Sequence, residues 1–190
     1  MEADIVEWLN GLGGHFFLFD RIMAVLVSDY FTPVAGSTAL VALWFLGRDE
    51  AERYRNQIAT IVGALAVGLA NAQIATVNAF YFRTRPYVNL PIDVHFYRPT
   101  DSSFPANSAG VAFAIATAVF IRNRRMGIAL YVLAALWGFA RVYAGVHYPT
   151  DILGGAAIGI VAALAAWAII RVLEFIPRYV LRVFRMLYIA

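Results

Sequence analysis

Cysteine is absent from the 190 residues, so neither a disulfide nor a thiolate-ligated metal is available to this chain. Lysine is absent too: all 15 basic residues are arginine, so cationic contacts must come from guanidinium groups or histidine. Charge is scarce, with Asp, Glu, Lys and Arg making up 14% of the residues, against ~25% in a typical soluble domain. The first residues, MEADIVEW, are acidic and lack the basic stretch that opens a cleavable signal peptide, so none is expected. No long linker, low-complexity tract or internal repeat interrupts the sequence, and residues 1–190 read as a single domain.

What the chain has in quantity is apolar surface. Hydrophobic residues account for 62% of it, and the mean hydropathy is +0.69. A hydrocarbon core of ~30 Å takes about 20 apolar residues in a helix. Five stretches approach that length: 31–47, 58–80, 104–121, 126–146 and 150–173. A further segment at 15–28, HFFLFDRIMAVLVS, is interrupted by Asp20 and Arg21 and reads as interfacial or re-entrant, with a sixth span as the alternative. The expected fold class is all-α, an integral membrane bundle of five to six helices.

Arginine placement orients the bundle. Arg48, Arg53 and Arg55 lie between the first two spans, Arg122, Arg124 and Arg125 between the third and fourth, and Arg178, Arg182 and Arg185 after the fifth. With five spans these groups share one side, which the positive-inside rule makes cytoplasmic. The expectation is a multi-pass protein of the cell (inner) membrane, with loops 81–104 and 141–150 extracytoplasmic. Because the net charge of +3 is distributed by membrane side, no nucleic-acid partner is expected. Both chain ends read as amphipathic helices. Ile5, Trp8, Leu9 and Leu12 recur at helical spacing, and after Pro177 the three arginines share a face largely apart from Val180, Val183, Phe184 and Leu187. The latter helix suits the inner leaflet or a packing partner. GAAIG at 155–159 has the small-xxx-small spacing of close helix packing.

The outward loops carry the chemistry. YFRTRPY holds Arg83 and Arg85, FYRPTD holds Arg98, and ARVYAGVHYPTD holds Arg141, His147 and Asp151. A lone arginine at a span end more often snorkels to the interface. Two from different loops on one face suit phosphate, because planar guanidinium forks match its oxygens. Four residues separate His147 from Asp151, with Pro149 between them at a helix entrance, so a carboxylate can hold one imidazole nitrogen while the other attacks.

R-x5-H-x3-D at 141–151, RP at 85–86 and a proline-led helix cap at 105–108 together resemble the type 2 phosphatidic acid phosphatase family. That family's signatures run K-x6-RP, PSGH and SR-x5-H-x3-D. The likeness covers most of the chain, and the layout with its RNR loop is most like the bacterial undecaprenyl-diphosphatases of the bacitracin-resistance type. The resemblance implies that His147 is the nucleophile and forms a phosphohistidine, that Asp151 orients it, and that Arg85 and Arg141 clamp phosphate. It implies no metal or other cofactor, and a membrane lipid phosphate or diphosphate as partner. A homo-oligomer or a membrane-complex partner is left open.

The match is uneven. Asn78 takes the place of the signature lysine, Ala140 that of the serine before arginine, and PANS at 105–108 that of PSGH, so the general-acid histidine becomes Ser108. Asn107 and Ser108 can hydrogen-bond a phosphate oxygen, and a helix N-terminus still favours an anion. Neither side chain donates a proton as imidazolium does, and losing a general acid costs ~10²–10⁴ in rate. The cost depends on the leaving group: an alkoxide, with a conjugate acid near water's ~15.7, needs the proton far more than a phosphate whose second pKa is ~6. The leading expectation is therefore hydrolysis of a lipid-linked diphosphate. The competing one is a non-catalytic subunit that binds lipid phosphate or serves a structural role on the same fold. His95, in the loop between the first two signatures, is the candidate replacement acid.

Overall fold

Backbone polar groups have no water to bond in a bilayer, so long apolar runs must satisfy themselves as helices. In the computed structural model, which describes residues 1–15, 17–28, 30–92, 98–173 and 175–186, all regular structure among the described residues is helical. The elements are α1 (Glu2–Asn10), α2 (Phe17–Leu26), α3 (Phe31–Phe45), α4 (Glu50–Phe80), α5 (Pro86–Asn89), α6 (Asn107–Arg122), α7 (Arg124–Tyr143), α8 (Pro149–Val172) and α9 (Phe175–Met186).

Each expected span contains one helix, but they are not equal. Among the described residues, α4, α7 and α8, with 31, 20 and 24 residues, are long and apolar enough to cross a membrane. The 15 residues of α3 and 16 of α6 reach only about 22 and 24 Å at ~1.5 Å each. The apolar run at 104–121 overstated α6 because Phe104 to Ala106 are loop residues packed against α8: Ala106 is extended, and its N–H donates to the Asp151 carbonyl at 3.0 Å. The 10 residues of α2 span about 15 Å, half the core thickness, as an interfacial or re-entrant segment would.

Three helices make the centre. Ile58, Val62, Ala66 and Ala70 of α4 meet Ala114 and Ala118 of α6 and Ala162, Ala163 and Ala166 of α8. Between helices in lipid, close van der Waals packing replaces the hydrophobic effect as the driving force, and small residues permit it. Gly155 and Gly159 show how close α8 comes to α6: a Cβ at either position would stand 2.3 Å from a carbonyl oxygen, that of Ala106 or of Gly110. The Asn56 and Asn123 side chains join across 3.4 Å, so the α3–α4 and α6–α7 turns with their arginines share one end of the bundle.

The terminal helices are docked to the bundle. On α1 the buried residues are Val6 and Leu9, packed with Ala140, Val142 and Tyr143 of α7, whereas Ile5, Trp8 and Leu12 of the expected apolar stripe are exposed. The inward face is thus displaced by one residue from the stripe the sequence suggests, and most of that stripe remains free for lipid. Leu181 of α9 is buried against Ala166 and Ile170, and the Phe184 ring meets Trp44 edge-on at 5.1 Å.

Candidate functional site

At the other end of the bundle, α7 stops at Tyr143 and the chain doubles back. Gly145 has φ +69°, a left-handed conformation natural to glycine, and a Cβ there would also meet the Ile92 side chain at 2.3 Å. The Arg141 carbonyl accepts from Val146 N–H at 3.0 Å, and this turn puts His147 beneath Arg141 before Pro149 starts α8. In the first turn of α8, Asp151 accepts from Tyr148 N–H at 2.8 Å, an N-terminal cap that fixes its carboxylate. The segment 81–85 runs beside 101–105, held by Ser103 N–H to the Arg83 carbonyl at 2.9 Å and Arg83 N–H to Ser102 Oγ at 3.2 Å.

Four ionisable side chains converge there, all buried: Arg85, Arg141, His147 and Asp151. Arg85 Nη1 lies 3.1 Å from His147 Nε2, and Arg141 Nη2 lies 3.4 Å from the same atom. A guanidinium only donates, so Nε2 carries the lone pair and Nδ1 the proton. That Nδ1–H points to the Ser103 carbonyl oxygen at 3.0 Å. Asp151 Oδ2 is farther off, 3.7 Å from Nδ1, beyond a hydrogen bond. Burial pushes the imidazole down to about 4 from its usual 6.5, the Arg141 and Arg85 charges push the same way, and Asp151 opposes them. His147 is therefore neutral near pH 7, with its nucleophilic nitrogen between two cations.

The surrounding bonds hold this arrangement. Arg85 also donates from Nη1 to the Val146 carbonyl at 3.1 Å and from Nη2 to Asp101 Oδ1 at 2.8 Å. Arg141 donates to the Val27 carbonyl at 2.8 Å and stacks over Trp137, its guanidinium carbon 5.4 Å from the ring centre. Asp151 accepts from Ser103 Oγ at 2.5 Å and from Arg83 Nη1 at 2.7 Å. Arg83 in turn bonds Glu2 of α1, so the N-terminal helix is tied to the carboxylate beside the histidine.

The sequence profile of the PAP2 superfamily matches residues 60–174. The chain belongs to that superfamily. Undecaprenyl-diphosphatase BcrC of Bacillus subtilis (strain 168) is 31% identical over 162 residues, 85% of this chain and 80% of that protein. Putative undecaprenyl-diphosphatase YbjG of Escherichia coli (strain K12) is 35% identical over 143 residues, 74% of this chain and 68% of that one. Among solved structures, the crystal structure of Aquifex aeolicus LpxE is similar with a TM-score of 0.65 and 26% identity, covering 87% of this chain and 93% of that one. Together with the apolar helices, PAP2 membership makes this a membrane protein.

Within the PAP2 fold, not every residue singled out in the sequence joins the cluster. Asn78 is exposed in the last turn of α4, and no hydrogen bond links its side chain to either arginine. Asn107 is exposed and Ser108 half-buried at the start of α6, with no side-chain bond to His147. Their backbone N–H groups belong to the first helical turn, which has no intrahelical acceptors. His95 falls in 93–97, outside the described residues.

Ser103 and Asp101 are residues that sequence reasoning missed, and Arg83, singled out there as an outward-loop arginine, was given no role. Ser102 and Ser103, a polar pair directly before the proline-led cap, were a usable signal for the first. Nothing local marks Arg83 as the partner of an aspartate 68 residues away.

Proposed function

We propose that this chain hydrolyses a lipid-linked diphosphate of the polyprenyl type through a phosphohistidine at His147, on the extracytoplasmic face of the cell membrane. The observation that carries the reading is the position of His147 Nε2, unprotonated and 3.1 and 3.4 Å from Arg85 and Arg141 nitrogens. Donors that now point at the nucleophile would hold the oxygens of a phosphoryl group placed against it. The names of the BcrC and YbjG relatives support a diphosphate substrate.

In the first step the Nε2 lone pair attacks the terminal phosphorus, and the bond from that phosphorus to the bridging oxygen breaks. The lipid leaves as its monophosphate, taking the bridging electron pair. Positive charge on the phosphorylated ring is met by the Ser103 carbonyl on Nδ1–H and by the Asp151 carboxylate beyond it. Water then attacks phosphorus, the P–N bond breaks, inorganic phosphate departs, and Nε2 recovers its lone pair. Water's proton leaves with the phosphate or to solvent.

Ser108 stands where the family's acid histidine would be, and a diphosphate tolerates that substitution because its leaving oxygen is a weak base with pKa ~6. The test is phosphate release by the purified protein from a polyprenyl diphosphate and from a phosphatidate. Turnover of the diphosphate, with the monoester much slower, is expected. No release from either, or a preference for the monoester, contradicts the reading.

A further inference from the structure

The end of the bundle opposite His147 contains a cavity of about 420 Å³, among whose lining residues are Tyr54, Ile58, Arg122, Trp167, Ile170 and Arg171. It lies where the start of α4, the last residue of α6 and the last turns of α8 meet, with Pro177 of α9 on its wall. Arg171 is about 30 Å along α8 from Asp151 at ~1.5 Å per residue, so the cavity is separate from the phosphatase centre.

Its lining is that of a site for an anionic amphiphile. Arg122 and Arg171 supply two guanidinium groups, and among the described residues neither has a hydrogen bond or an ion pair. Both side chains are exposed, unlike the buried and carboxylate-paired Arg85, so their donors face an incoming headgroup. The Arg171 guanidinium carbon sits 5.2 Å from the Trp167 ring centre, so stacking sets the plane of the cation and leaves its N–H edge free to donate. Ile58 and Ile170, both buried in the central apolar cluster, make an uncharged floor.

The protein surface next to the cavity suits an acyl chain. Leu164 is seven residues before Arg171 and three before Trp167, hence on their face of α8, and it is exposed. A headgroup between the two arginines would lay its chain along Leu164 toward the middle of the membrane. The arginine clusters gather at this end too, where the positive-inside rule places the cytoplasm and its anionic lipids.

We propose that the cavity binds the phosphate headgroup of an anionic membrane lipid from the leaflet opposite the catalytic site. Two guanidinium groups select a phosphate without a compensating cation, so phosphatidylglycerol fits and phosphatidylcholine does not. This site is independent of the reaction proposed for His147.

The experiment is thermal unfolding of the full chain in an uncharged detergent, with dihexanoyl phosphatidylglycerol, dihexanoyl phosphatidylcholine or inorganic phosphate added. At ten times the dissociation constant, phosphatidylglycerol should raise the midpoint by about 3–6 °C, phosphatidylcholine should leave it unchanged, and any shift with inorganic phosphate, a product of the His147 site, should persist when Arg122 and Arg171 are replaced. Arg122→Gln with Arg171→Gln should remove the shift while keeping the lipid-free midpoint. Arg124→Gln with Arg125→Gln, exposed arginines at the same end but outside the cavity lining, should retain it. The proposal is overturned if the Arg122/Arg171 variant still responds, if phosphatidylcholine works as well, or if phosphatidylglycerol has no effect. A shift with inorganic phosphate that the Arg122/Arg171 variant loses also overturns it, because the cavity would then take a free anion and not a lipid.

Discussion

Arg85 donates to His147 Nε2 across 3.1 Å, and that contact fixes both the tautomer and the charge of the imidazole. A protonated ring would set an N–H against a guanidinium N–H in a buried site. Burial, with the Arg141 and Arg85 charges, lowers the pKa to about 4. Because the shift is downward, lowering the pH from 7 to 5.5 should leave His147 neutral. Imidazole NMR on the resting protein, assigned by comparison with His147→Gln, should show a midpoint near 4. A midpoint between 6 and 7 would mean that the ring is not buried against the two arginines.

Asp101 presents a carboxylate to Arg85 at 2.8 Å and is 70% exposed on its side chain, so it occupies the cation that a substrate phosphate would need. Exposed pairs are worth ~0.2–1 kcal/mol. Asp101→Asn should therefore lower KM for the diphosphate by about 1.5–5-fold, with kcat little changed. An increase in KM would show that Asp101 assists binding.

Ser103 is a positioning residue, since its Oγ–H binds Asp151 and its carbonyl holds Nδ1–H of His147. Ser103→Ala removes only the first of these. A hydrogen bond to a charged group is worth ~1.5–3 kcal/mol, so kcat should fall by about 10–100-fold with KM unchanged, and Ser103→Thr should restore much of it. A rise in KM alone would point to a substrate contact.

How much of this was legible in the sequence follows from the range of each interaction. Arg141, His147 and Asp151 sit within one turn and the helix start after it, so their spacing in the chain encodes their proximity in space. Arg85 was readable through its RP signature. The contacts of Arg83 with Asp151 and Glu2 cross 68 and 81 residues, and no local pattern announces them. Span boundaries erred for a related reason. Hydropathy registers Phe104 as membrane-like, whereas its ring packs so closely on α8 that a Cβ on Gly154 would meet it at 2.5 Å. Asn78 was placed by its offset from Arg85, yet the end of α4 leaves it exposed.

The missing acid can be put back. Ser108 occupies the second position of α6 and is half-buried. Ala106→Ser with Ser108→His should speed monoester hydrolysis by about 10²-fold or more, the usual contribution of a general acid, and change diphosphate hydrolysis much less. An equal gain on both substrates, measured as kcat, would mean that leaving-group protonation is not what the wild type lacks.

The account turns on a covalent bond at His147 Nε2, and one measurement addresses it directly. Wild-type protein mixed with polyprenyl diphosphate labelled in the terminal phosphate, then quenched in alkali within a turnover, should retain label that is stable to base and released by acid. Peptide mapping should place that label on His147, and His147→Ala should show neither label nor turnover. Turnover by the wild type without any trapped label, together with residual turnover in His147→Ala, would contradict the nucleophile assignment.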